Sequence, residues 1–192
     1  MKIEELVKEV YEDLNAKITA IESNKDLTIY FECDDWISEN LVKKFKITCL
    51  SAIESRVLES HVGNMDFTKS DPILWKHNEE HGYLYYTSEF DNHYELLGRL
   101  WEAHEKTFYG LRPLSEYINT YSSGQNIEFC KGSYGQLAQG PISILDIYKS
   151  AIAGKITTNI VRSYKSRGNY CALFFDDLFV VCKSVTVQEL TN

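Results

Sequence analysis

Only three of the 192 residues are proline, ten are glycine and two are methionine. So little proline rules out a linker-rich or disordered chain, because such chains cannot bury enough apolar surface to offset the entropy of ordering. No apolar run approaches the roughly 18 residues that a membrane-spanning helix needs. The opening Met-Lys-Ile-Glu-Glu-Leu has no apolar signal core, so the expected location is the cytoplasm. The five cysteines, Cys33, Cys49, Cys130, Cys171 and Cys182, include no Cys-x-x-Cys pair, which removes a zinc ribbon and a dithiol redox motif. All five are expected to be reduced and buried as small hydrophobes.

The motifs of common chemistries are also missing. There is no Gly-x-Ser-x-Gly elbow for a serine nucleophile. Gly135 and Gly140 have the spacing of a phosphate loop, but Pro141 and Ile142 stand where a lysine and a hydroxyl residue would meet the phosphates. Residues 77–81, His-Asn-Glu-Glu-His, formally fit the His-x-x-Glu-His pattern of inverted zinc peptidases. That chemistry requires both histidines on one stable helix, and Gly82 follows at once, so His77, Glu80 and His81 are expected to be a solvated helix end. His93 and His104 lie three helical turns apart, too far to share a metal. Neither a cofactor nor a metal site is expected, and no residue is assigned a catalytic role.

What is present is ordinary globular composition, 44% hydrophobic and 25% charged, and enough length for a continuous core in a single domain spanning residues 1–192. Aromatics are numerous, with 13 Tyr, 9 Phe and 3 Trp. The net charge is −8, unevenly spread: residues 1–60 hold 8 basic and 13 acidic groups, 61–120 hold 5 and 10, and 121–192 hold 7 and 5. Such a field repels nucleic acid and anionic membrane and draws a basic protein toward the N-terminal portion.

The fold class read from the pattern is α+β, a mostly antiparallel sheet with an N-terminal amphipathic helix and further helices packed against the sheet. Ile3, Leu6, Val7, Val10, Tyr11 and Leu14 follow the helical period. Residues 27–33 and 44–49 alternate apolar and polar as half-buried strands joined by the loop 34–43. Asp71-Pro72 opens a short helix that Gly82 would end, and residues 83–87 read as a strand. A helix from Asp91 places Tyr94, Leu97, Trp101, His104 and Phe108 on one stripe. Gly132, Gly135 and Gly140 read as turns, Pro141 starts a helix, and residues 155–165 fit helix and strand equally well. The most specific signal is at residues 169–186, where two runs that are apolar on both faces flank Asp176-Asp177. A two-residue turn there pairs Phe175 with Leu178, Leu173 with Val180 and Cys171 with Cys182, in a hairpin that lies in the middle of a sheet.

Two functional readings follow. The first is a non-catalytic, acidic interaction protein of the cytoplasm that binds a basic protein partner and inhibits it in the manner of an immunity protein. Its contact is the loop where strong acidity meets a large aromatic, with Trp36 as anchor and Asp34, Asp35 and Glu39 as steering charges. The competing role for Trp36 is to fold back and cap the sheet. The second reading is a small enzyme or ligand-binding domain whose pocket is lined by Trp75, Tyr83, Tyr85, Tyr86, Trp101 and His104. Oligomeric state is left open by the sequence.

Overall fold

The computed structural model describes residues 1–10, 14–35, 41–90, 92–118, 132–165 and 168–190. In chain order these form helix α1 (Ile3–Glu9), strands β1 (Lys17–Ser23), β2 (Leu27–Asp34), β3 (Val42–Leu50), β4 (Glu54–Arg56), β5 (Ser60–His61) and β6 (Met65–Thr68). Then come helix α2 (Trp75–Asn78), strand β7 (Glu80–Tyr86), helix α3 (His93–Phe108), strand β8 (Gly135–Pro141) and helix α4 (Ile142–Ala151). Strands β9 (Thr158–Lys165), β10 (Cys171–Phe175), β11 (Leu178–Cys182) and β12 (Ser184–Leu190) complete the set. The class is α+β, and every strand pairing among the described residues is antiparallel. No helix among the described residues is long and apolar enough to cross a membrane. The chain divides into two compact units, residues Met1–Leu74 with Asn169–Asn192, and Trp75–Gly168.

The first unit holds a five-stranded sheet, β12-β3-β2-β1-β5, and a four-stranded sheet, β4-β11-β10-β6. Strand β2 alternates buried and half-buried residues along its whole length, so Leu27, Ile29, Phe31 and Cys33 all enter the core. There they meet Phe45, Ile47 and Cys49 of β3 and Cys171, Leu173, Phe175, Val180 and Cys182 of the hairpin. The β10–β11 register is the one the Asp176-Asp177 turn predicts, and β4 and β6 flank the hairpin on either side. Its second face, Ala172, Phe174, Phe179 and Val181, is buried as well. Asp176 adopts a left-handed φ of 56°, a conformation that Asp tolerates better than most residues. Its carboxylate accepts from the amides of Gly63 at 2.9 Å and Asn64 at 2.8 Å, which fixes the turn. Helix α1 buries Ile3 and Leu6 and ends at Glu9. The helical period runs on to Leu14, but Val10 is extended; Tyr11 lies outside the described residues.

The second unit is a three-stranded sheet, β8-β7-β9, with α3 and α4 on one face. Its own core joins Leu84 and Tyr86 of β7, Leu137 and Ala138 of β8, Leu96, Leu100 and Phe108 of α3, and Ile144, Leu145 and Tyr148 of α4. Asn92 caps α3 by accepting from the Glu95 amide, and Tyr109, at φ 49°, ends it. The buried stripe of α3 is Leu96, Leu100, His104 and Phe108; the expected stripe shared only the last two, and Tyr94 and Trp101 face water. The ambiguous segment is a strand, β9, at the sheet edge, where β-branched residues fit best.

Gly82, read as a helix stop, and Gly140, read as a turn, lie inside the sheet instead. Gly82 is in β7 and pairs with Gly140 of β8. A Cβ on Gly82 would stand 2.7 Å from the Val161 carbonyl oxygen, and one on Gly140, whose φ is 148°, would stand 2.8 Å from the Tyr117 ring. Close approach, rather than turn formation, requires glycine at both positions.

Candidate functional site

At one end of the second unit's sheet lies a cleft of about 310 Å³. Its walls come from five segments: Lys76 of α2; His81, Gly82 and Tyr83 of β7; Glu116 and Tyr117; Gln139, Gly140 and Pro141 of β8; and Ser163 and Tyr164 of β9. Side-chain bonds tie these walls together. The Lys76 backbone carbonyl lies 2.8 Å from His81 Nε2. A carbonyl only accepts, so Nε2 carries the proton and Nδ1 of the neutral ring is left to accept from the Tyr164 hydroxyl, 3.1 Å away. The two rings also stack, with centroids 4.8 Å apart. Beside them Lys76 Nζ meets Glu116 Oε2 at 3.2 Å, and from behind the same oxygen faces Arg112 Nη1 at 3.7 Å. Arg112 is only 2% exposed.

The same wiring recurs in the core. His104 Nε2 donates to the Arg112 carbonyl at 2.7 Å, and Nδ1 accepts from the Tyr148 hydroxyl at 2.7 Å. Both side chains are fully buried, and burial pushes the Tyr148 phenol far above its usual range. His104 therefore has both ring nitrogens satisfied inside the core.

The six residues of the sequence-read pocket do not share this cavity. Tyr83 alone lines the cleft. Trp75 packs edge-on against Phe108, Tyr85 stacks on Tyr134 at 5.7 Å, Tyr86 is buried, Trp101 is 56% exposed and His104 is in the core. The His77–His81 motif does not lie on one helix: α2 ends at Asn78, and Glu80 and His81 belong to β7. Glu80 pairs with Arg162, and Glu79 accepts from the Ser143 hydroxyl and amide at the start of α4. Sequence reasoning missed Lys76, Glu116, Gln139 and Tyr164, which come from four separate segments, a helix, a turn and two strands.

In the first unit the acidic loop can be followed at its base, since Trp36 and Glu39 lie outside the described residues. Asp34 ends β2, and its carboxylate accepts from Asn15 Nδ2 at 2.7 Å. Asp35 and Glu9 share one ammonium, Lys43 Nζ, at 3.1 Å and 3.9 Å. The hydrogen bond that Lys43 donates to the Asp35 carboxylate holds the Lys43 pKa above its usual value. Burial pushes the Cys33 thiol up to about 11; Lys43 pulls it down, and Glu9, Asp34 and Asp35 push it up again. Two carboxylates thus meet one lysine, with Asp34 held apart by Asn15, and Leu41 and Val42 beside them are exposed at 56% and 39%. Compared with protein-family models, curated proteins and solved structures, the chain matches none.

Proposed function

We propose that the protein is an acidic interaction protein of the cytoplasm that binds a basic protein partner through its first unit and, like an immunity protein, inhibits it. The carrying observation is the partition of charge. The first unit holds 10 basic and 18 acidic side chains and the second 10 and 10, so the whole −8 belongs to the first. Within it, the end of β2 places Asp34 beside the pair Glu9 and Asp35, which share Lys43, next to exposed Leu41 and Val42. An apolar step rimmed by excess negative charge suits a basic partner that buries an aromatic or aliphatic anchor. Trp36 supplies that anchor, and Asp34, Asp35 and Glu39 supply the steering field.

The test uses a partner copurified from the native host at low salt. Trp36→Ala weakens its binding by about 2 kcal/mol or more with an unchanged melting temperature. Neutralising Asp34, Asp35 and Glu39 together slows association and flattens its salt dependence. If Trp36→Ala unfolds the chain, or the neutralised variant binds with unchanged rate and salt dependence, the loop is structural and this reading fails.

A further inference from the structure

We infer that the first unit binds an anionic amphiphile, a short apolar chain ending in a carboxylate or phosphate, in the pocket between its edge strands β6 and β12. This is separate from the interaction proposed above. Helix α1 has Ile3 at this pocket and ends at Glu9, beside Lys43 and the acidic end of β2. Three observations carry the inference.

The first is the place and lining of the pocket. Strand β12 is an edge of the five-stranded sheet and β6 an edge of the four-stranded one. Helix α1 packs against both, and a pocket of about 370 Å³ lies among the three. Its floor is apolar: Ile3, Cys171 and Val187 belong to the core of this unit, and Phe67 and Val185 add half-buried walls. The volume is at the lower end of the range for small-molecule sites, which suits one short chain.

The second is charge. Lys2, Lys69 and Lys183 line the pocket, and Glu4 is the one acidic side chain among its described lining residues. Setting Glu4 against Lys2 still leaves two ammonium groups. Among the described residues neither Lys69 nor Lys183 enters an ion pair. This is the reverse of Lys43, which is taken by Asp35 and Glu9. The pocket is therefore a cationic spot in the unit that holds the whole negative excess of the chain.

The third is how the two lysines are held. Lys183 Nζ stands 3.9 Å from the centroid of the Tyr170 ring, and Lys69 Nζ stands 5.8 Å from that of Phe67. Both distances are within reach of a cation–π contact. A ring face attracts an ammonium without neutralising it, so each contact steadies a long side chain and leaves its charge for a ligand. Strand pairing brings the two together, because Ala172 pairs with Thr68 and Cys171 with Cys182, so that Lys69 and Lys183 follow on either side of the Cys171 position. A bare anion would leave the apolar floor uncovered, and a neutral chain would leave the ammonium groups unpaired. A chain with an anionic end satisfies both.

The experiment records amide chemical shifts of the full chain against octanoate, octyl phosphate, neutral octanol and inorganic phosphate, each as the free compound at millimolar concentration. Octanoate or octyl phosphate is expected to shift the amides of Ile3, Phe67, Lys69 and Val185 in a saturable way, the tighter of the two giving the preferred head group. Octanol and inorganic phosphate should respond more weakly. Affinity should rise from butyrate through hexanoate to octanoate, by roughly two- to fourfold per added CH₂. Lys69→Gln and Lys183→Gln should each lower affinity about five- to tenfold, the loss of one partly screened charge pair. Lys149→Gln, in the second unit, should leave it unchanged. Both pocket lysines are exposed, so these variants should fold; the spectrum of each reports it, and Lys69→Met and Lys183→Met are second charge-neutral replacements. The inference is overturned if neither anion shifts those amides, or if octanol or inorganic phosphate binds as well. It also fails if affinity is flat along the carboxylate series, or if the folded pocket variants bind no more weakly than Lys149→Gln.

Discussion

The two compact units have the same number of basic side chains and otherwise different surfaces. The first carries 18 of the 28 acidic residues; the second carries 10 of the 13 tyrosines and 4 of the 5 histidines. Each has its own buried cluster, one built between two antiparallel sheets and the other between a small sheet and two helices. In the first unit polar chemistry lies at the strand ends as a long-range field. In the second it is gathered into contacts: two histidine–tyrosine pairs, a lysine–glutamate–arginine group and stacked tyrosines. A field steers a large charged partner and is screened by salt, whereas fixed contacts recognise a shape. The two units thus differ in how their polar groups are deployed, and mutations in each separate the two arrangements.

The largest effect is expected where the first unit is most enclosed. Phe174 and Val181 lie on the second face of the hairpin, both buried. Phe174→Ala should destabilise by roughly 3–5 kcal/mol and Val181→Ala by about 1–3 kcal/mol in denaturant melts. Losses below about half a kcal/mol at both would mean that this face is not packed, and the account of the hairpin as the centre of its sheet would fail.

Next comes the contrast between the two histidine–tyrosine pairs. Tyr148→Phe leaves the buried Nδ1 of His104 without its donor, and an unsatisfied buried polar atom costs about 1–3 kcal/mol. Tyr164→Phe removes the equivalent hydroxyl at the cleft, where water replaces it, and should change stability by less than about 0.5 kcal/mol. Equal losses in the two variants would show that the cleft pair is as structural as the core pair.

Much of this architecture was legible in the sequence wherever a local pattern had a local cause. The period-two alternation of residues 27–33 and 44–49 became β2 and β3 in the expected pairing, and two acidic residues between apolar runs fixed the hairpin register. Legibility failed where the cause was tertiary. Gly82 looks like a helix stop and Gly140 like a turn, but the reason for glycine is a carbonyl and a tyrosine ring that arrive from distant segments. The stripe of α3 was displaced because Tyr94 and Trp101 pass for core residues in any hydrophobicity count, whereas their polar tips let them face water. His104 and Phe108 belong to both stripes, so the period alone could not choose. The cleft was the least legible, because Lys76, Glu116, Gln139 and Tyr164 share no motif and come from a helix, a turn and two strands far apart in the chain.

The smallest expected effect reads the field of the first unit from inside. The Cys33 thiol is raised to about 11, chiefly by burial, with Lys43 opposing and Glu9, Asp34 and Asp35 adding to the rise. A thiol is charged only when it loses its proton, so nearby carboxylates disfavour ionisation and a nearby ammonium favours it. The folded pKa lies above the unfolded one; the stability linked to this group is therefore complete below the unfolded value of about 9 and is lost as pH rises through about 11. In a variant retaining Cys33 as its single cysteine, thiolate absorbance should report the titration directly. Glu9→Gln should lower the Cys33 pKa by a fraction of a unit, Asp34→Asn by a smaller fraction, and Lys43→Gln should raise it. The three shifts have signs fixed by charge alone, whereas a purely structural disturbance at this strand end would expose the thiol and lower its pKa in all three variants. A fall on Lys43→Gln would mean that the acids around β2 do not act on Cys33 as a field, and the electrostatic half of the comparison would be lost.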